Sequence, residues 1–122
     1  MLNFNSLMIG SQDPKSLAAF YEQVFQKKPD MVEGDWFGFS VGTCFLAIGY
    51  HTEVVGKATN PQRIILNFET PDVRQEFERI KALGATVVAE PYHLQAADDS
   101  AWIATLADSE GNYFQLMSPW KN

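Results

Sequence analysis

At 122 residues, with 46% hydrophobic and 20% charged side chains, the chain has the size and content of one globular domain that can bury a core. Its formal net charge of −6 argues against a nucleic-acid partner, which needs clustered Lys and Arg, and its nine basic residues are scattered. Cys44 is the single cysteine, so an intrachain disulfide and a CxxC metal or redox site are both excluded. The opening MLNFNSLMIGSQD lacks the positive region of a signal peptide, and no apolar run approaches the ~20 residues that span a bilayer. A soluble, cytoplasmic protein without a membrane partner is the expectation.

Residues 2–9 read as a strand, with Leu7 and Ile9 on one face and Phe4, Ser6 and Met8 on the other, ending at Gly10. Asp13 followed by Pro14 marks a helix start: a side-chain acceptor at the N-cap, then a proline at the first helical position, where its missing N–H is not needed. Leu17, Phe20, Tyr21, Val24 and Phe25 then form the apolar stripe of an amphipathic helix over 14–25. Strands follow near 29–33, 36–41 and 43–49, divided by the hairpin-like turns Glu33-Gly34-Asp35 and Val41-Gly42-Thr43. The unit reads βαβββ.

Apolar periodicity lapses after Tyr50, and Gly, Thr, Asn and Pro gather, as in a linker. A second unit starts with a strand over 63–68 and passes through Glu69-Thr70-Pro71 into a helix carrying Val73, Phe77, Ile80 and Leu83. Arg74 and Glu78 stand at i, i+4 on that helix and Gly84 closes it. Strands near 86–90, 101–107 and 113–118 complete the unit. Between the first two of these, 91–100 is a polar loop that reads as a lid or as a long hairpin connection. The units align at a constant offset: Pro14 and Pro71 are 57 apart, as are Phe20 and Phe77, Leu7 and Ile64, Ile9 and Leu66. The whole is thus expected to be one α+β domain of two tandem modules, about 1–50 and 63–119, joined by a linker over 51–62.

The ending Asp108-Ser109-Glu110-Gly111-Asn112-Tyr113-Phe114-Gln115-Leu116, together with the Ala19-Phe20-Tyr21 helix after Asp13-Pro14, resembles the vicinal oxygen chelate superfamily. That superfamily includes glyoxalase I, extradiol dioxygenases, fosfomycin-resistance enzymes and bleomycin-resistance proteins. The resemblance covers essentially the whole chain. It implies that each βαβββ module curls into half of a cup of curved mixed sheet with the helices packed outside, that the protein is a homodimer, and that relatives hold a metal in the cup.

The metal positions do not carry over. Where metal-binding relatives have a histidine on the first strand, this chain has Ser6, and the matching position in the second module, 57 residues on, is Arg63. Arginine stays protonated and ligates no metal. Gln115 stands where the family has Glu, and Ala47 and Ile48 at the fourth strand supply no donor. No metal and no other cofactor is therefore expected, since a first-row divalent ion wants several imidazole or carboxylate ligands.

By strand alternation, Ser6, Met8, Arg63, Asn67, Tyr113, Gln115 and Met117 face inward as candidate ligand-binding residues. Arg63 either forks onto an anionic group of the ligand or is a strand-start residue in solvent. Gln115 either meets ligand or is satisfied by neighbouring backbone. A displaced metal site from His51, Glu53, His93 and Asp98 is a further alternative, set against two histidines simply solvated in loops. Trp36, Phe37, Phe39 and Trp102 are expected in core or interface, with one or two as a stacking wall. Cys44 is expected to be a buried small hydrophobe, and the Asp98-Asp99 pair and Glu110 to cap turns.

These features lead to a metal-free protein that binds a small organic ligand, anionic if Arg63 engages it. The alternatives are a metal-dependent lyase or dioxygenase using the displaced site, and a structural or regulatory dimer whose cup is filled by Met8, Tyr113 and Met117. Whether any reaction is catalysed is left open by the residues.

Overall fold

The computed structural model describes residues 1–95 and 98–119, with backbone alone at 94, 95, 98 and 99. The chain divides between Gly56 and Lys57 into two compact units. Each is a βαβββ module, and the architecture is α+β. The first runs β1 (Ser6–Ser11), α1 (Pro14–Phe25), β2 (Met31–Glu33), β3 (Trp36–Val41) and β4 (Cys44–Tyr50), in a sheet of order β1-β4-β3-β2. The second runs β5 (Leu66–Glu69), α2 (Val73–Ala82), β6 (Thr86–Gln95), β7 (Asp98–Ala107) and β8 (Tyr113–Met117), in order β5-β8-β7-β6. In each sheet the first strand runs parallel to the last and the other pairs are antiparallel.

α1 begins where its cap is made: Asp13 Oδ1 accepts from Ser16 N at 3.3 Å. Leu17, Ala18, Tyr21 and Val24 are buried on its sheet side, and Phe25 meets Phe39 edge-on at 5.3 Å between centroids. Phe20 and Phe25, at the margins of the stripe, are only half-buried. The helix stops at Gln26, which takes a left-handed φ of 57°. Gly34 and Gly42, at φ 59° and 58°, are the first residues of the two-residue hairpin loops closed by Glu33–Trp36 and Val41–Cys44. A positive φ at that first position belongs to the II′ turn, whose twist suits the hairpin.

In the second unit α2 packs on β6, β7 and β8, burying Val73, Phe77 and Ile80 in a core with Ala104, Leu106, Phe114 and Leu116. Leu83 caps the helix and Gly84 follows at φ 101°. The turn into β8 is built around Asp108, 4% exposed, whose carboxylate accepts from Glu110 N at 2.9 Å, Asn112 N at 3.0 Å and Asn112 Nδ2 at 3.0 Å. The Asp108 side chain caps that turn. The D-x-x-G-N signature is thus a self-satisfied turn that delivers β8 into the sheet, with Gly111 supplying φ 84°.

Several boundaries differ from expectation. β1 covers Ser6–Ser11, not 2–9, because β4 has no residue before Cys44 to face Leu2–Phe4, while Gly10 and Ser11 still pair with Gly49 and Tyr50. Pro61–Arg63 form a 3-10 turn and β5 starts at Leu66, where β8 first offers a partner, so Arg63 is off the strand. The segment expected as a loop over 91–100 extends both β6 and β7. Pro91 is tolerated because β6 is an edge strand, irregular in register between Ala89 and Tyr92. The tip at 96–97 lies outside the described residues, as do the side chains of Asp98 and Asp99. Cys44 is exposed, because it closes the β3–β4 hairpin at the edge of the core. Arg74 lies 4.7 Å over the Trp102 ring rather than pairing with Glu78, and the ion pair on α2 joins Glu76 and Arg79 at 2.7 Å.

Candidate ligand-binding faces

Each sheet has one face under its helix and one face turned away from it, and the expected site residues other than Arg63 fall on the second kind. On β1 these are Ser6 and Met8, in register with Phe45 and Ala47 of β4. Met8 is 54% exposed, and the Ser6 hydroxyl donates to Asn5 Oδ1 at 2.9 Å. In the second sheet, Asn67 pairs with Gln115, and Gln115 with Thr105, so three polar side chains stand side by side across β5, β8 and β7. Gln115 Nε2 donates to Thr105 Oγ1 at 3.1 Å. Tyr113 and Met117 flank Gln115 on the same face of β8, half-buried like it, while Asn67 is exposed. Gln115 is therefore tied to a side chain, not to backbone, and Thr105 is a member of the cluster that the sequence did not single out. Arg63, in its 3-10 turn and exposed, does not share this face by strand alternation.

The modules superpose by chemistry at an offset of 59, not 57. Asp13 and Asp72 are both N-caps, and Ser11 and Thr70, also 59 apart, both accept from the cap residue's N–H, at 2.9 and 3.3 Å. The pairs Met8–Ala47 and Asn67–Gln115 are equivalent in that frame. The counterpart of Ser6 is then Ile65, and the four positions where relatives bind a metal carry Ser6, Ala47, Ile65 and Gln115. A hydroxyl, a methyl, a branched hydrocarbon and an amide are not a ligand set for a divalent metal.

The displaced alternative fares no better on donors. His51 Nδ1 accepts the Glu53 backbone N–H at 3.1 Å, so the Glu53 carboxylate is not what holds the ring. His93 lies against Trp102 with centroids 4.0 Å apart and ring planes tilted by 42°, and its Nδ1 is buried with no hydrogen-bond partner among the described residues. Among the described residues no group of three His, Cys, Asp or Glu side chains is placed to hold a metal ion.

The aromatic side chains divide by strand parity. Phe39 is fully buried under α1, and Trp102 is on the α2 side, beneath Arg74. Trp36 points the other way. Its ring and that of Phe45 are near-parallel, 26° apart in plane and 6.0 Å between centroids, and they meet above Gly38. A Cβ there would collide with Phe45 Cζ and lie 3.0 Å from Trp36 Cη2. Gly49 makes the same allowance: a Cβ would stand 2.9 Å from Met8 Cε and 3.1 Å from Trp36 Cδ1. Lone glycines inside strands signal a close approach of this kind, and Gly38 and Gly49 carry that signal in the sequence.

Two four-stranded sheets with this strand order, one helix apiece and the D-x-x-G-N turn before the last strand define a protein of the vicinal oxygen chelate superfamily. Residues 6–117 match the model of the glyoxalase-like domain, and the chain belongs to that family. In structure it is similar to a glyoxalase/bleomycin resistance protein/dioxygenase family enzyme from Burkholderia phytofirmans PsJN, at 22% identity and TM-score 0.77 over 96% of this chain and 98% of that one. It is similar too to a glyoxalase-related enzyme from Fulvimarina pelagi, at 15% identity and TM-score 0.78 over 98% and 89%. A lactoylglutathione lyase from Agrobacterium tumefaciens aligns at 19% identity and TM-score 0.69 over 93% and 91%. At such identities the likeness is one of fold. No curated protein matches the chain in sequence.

Proposed function

We propose that this protein is a metal-free small-molecule binder of the glyoxalase/bleomycin-resistance type, holding an organic ligand on the faces its sheets turn away from their helices. The observation that carries the reading is the side-chain set at the four metal positions, Ser6, Ala47, Ile65 and Gln115, beside an intact fold. Metal-assisted lyase or dioxygenase chemistry needs an ion to polarise oxygen, and this set supplies no anionic or imidazole donor. The Asn67, Gln115 and Thr105 cluster supports a ligand bound through neutral hydrogen bonds. Met8 and Asn67 are exposed rather than packed, which favours a ligand over a filled, purely structural face. A cytoplasmic homodimer belongs to the same proposal and rests on the family resemblance.

The test is elemental analysis of protein purified without tag or chelator, with a thermal-shift titration against Zn, Ni, Mn and Fe(II). Substoichiometric metal and no stabilisation are expected. Near-stoichiometric metal with a clear stabilisation would overturn the reading.

A further inference from the structure

Across the open face of the second sheet, Asn67 on β5 stands beside Gln115 on β8, Gln115 beside Thr105 on β7, and Thr105 beside Ala89 on β6. The neighbouring rows put Met117 against Ile103 and Tyr113 against Ala107, so hydrocarbon lies on both sides of the Gln115–Thr105 pair. Thr105, 5% exposed, has Gln115 as its one polar neighbour in the row, and its Oγ1 accepts from Gln115 Nε2 at 3.1 Å. A hydrogen bond walled by apolar groups is stronger than one in water. It turns the amide so that its nitrogen is at Thr105 and its oxygen is directed away. Gln115 Oε1 accepts from no donor among the described residues, and the Asn67 amide beside it is uncommitted among them as well.

We propose, building on the small-molecule reading above, that Thr105 is a positioning residue which holds Gln115 Nε2 so that Gln115 presents its carbonyl oxygen, and that the ligand group met there is an N–H donor of the carboxamide or lactam kind. A side-chain amide left to rotate meets a ligand donor or a ligand acceptor equally well, since it has one end of each sort. Tied to Thr105, it offers an acceptor in a half-buried place, where leaving it unmatched is more costly than in water. A ligand N–H satisfies it. The carbonyl of the same ligand group then accepts from the Asn67 amide, which is exposed and adapts to it. A ketone or a carboxylate in that position brings no donor to Oε1.

The experiment uses the full chain and three probes of one shape, benzamide, acetophenone and benzoate, which carry beside the carbonyl an N–H donor, a methyl and an anionic oxygen in turn. Nitrogen-edited proton NMR follows the Gln115 side-chain NH2, assigned by its loss in Gln115→Met. Benzamide is expected to shift those signals and to bind roughly tenfold more tightly than acetophenone or benzoate, the scale of one satisfied buried acceptor. Thr105→Val removes the hydroxyl at nearly constant shape, so the preference for benzamide should vanish while the melting transition stays cooperative. Thr105→Ser puts the hydroxyl back and should restore it. A packing role alone would weaken the three probes together.

Equal affinity for the three probes in the parent, a benzamide preference that survives Thr105→Val, or one that Thr105→Ser fails to restore would overturn the proposal. So would benzamide binding that leaves the Gln115 signals unmoved, or no binding of benzamide at all. Probes that bind without preference overturn the role of Thr105 and leave the wider small-molecule reading standing. That reading is judged separately, because stoichiometric metal in the elemental analysis removes it whatever the probes do.

Discussion

Asp13 and Asp72 do the same work 59 residues apart. Each receives a Ser or Thr hydroxyl acceptor two residues upstream on its own backbone N–H, and each caps its helix by accepting from the backbone N–H three residues on, Ser16 at 3.3 Å and Gln75 at 3.1 Å. The pair fixes the frame in which the modules correspond. Pro14 and Pro71, which suggest an offset of 57, are not equivalent, since Pro14 is the first residue of α1 whereas Pro71 precedes the cap of α2.

Replacing either cap by alanine should cost about 1 kcal/mol, the usual loss for a helix N-cap. The two caps share no hydrogen-bond partner, so Asp13→Ala and Asp72→Ala are expected to add in the double variant. Urea unfolding of the three variants checks this, and a double variant well short of the sum would deny that the caps act separately.

Among the described residues Asp108 is the most heavily used carboxylate. Asp108→Ala strands the Glu110 and Asn112 donors in a largely buried turn, and a loss of roughly 2–3 kcal/mol is expected. Asn112→Ala removes one donor and leaves the backbone bonds, so its loss should be clearly smaller. The order of the two, read from chemical denaturation, tests whether the family signature is a structural turn.

Gly38 and Gly34 should respond differently to alanine. At Gly38 the added methyl runs into Phe45, so overpacking of about 1–3 kcal/mol is expected. At Gly34, with φ 59° and open space around it, only the left-handed backbone opposes the change, at roughly 1 kcal/mol. Near-ultraviolet circular dichroism should change in Gly38→Ala and stay constant in Gly34→Ala.

Asp30 gives the first unit a pH dependence. Its carboxylate takes a 2.7 Å bond from Lys27 Nζ and a 2.7 Å bond from Ser40 N, and these hold its pKa below the ordinary 3.8. Because the folded pKa is the lower one, the contribution is complete above the unfolded value and is lost as pH falls through the folded value. Asp30→Asn should therefore be less stable than the parent at neutral pH, and the gap should close below about pH 4. A gap independent of pH in acid would place the effect elsewhere.

Local signals in the sequence were sufficient for much of this fold. The run from Asp13 to Phe25 contains its own cap, its own proline and its own apolar stripe, and α1 occupies that span. The Gly34 and Gly42 turns are likewise written in adjacent residues. The candidate faces were legible as far as parity goes: Met8, Asn67, Gln115 and Met117 alternate with core residues on their strands. What failed was reach. The apolar residues after Arg63 extend the expected strand back to it, yet where a strand starts depends on where its partner starts, and that partner lies about fifty residues downstream in β8.

The sequence by itself determined the βαβββ repeat, the two helices with the Asp13 cap, and the missing donors at Ser6, Ala47 and Gln115, because each depends on residue identity and short-range spacing. Only the tertiary structure decided that Thr105 holds Gln115, that Cys44 is exposed, and that Trp36 lies flat over Gly38 and Gly49. Those outcomes come from strand register, which places side chains from distant segments on one face, and no local pattern encodes it.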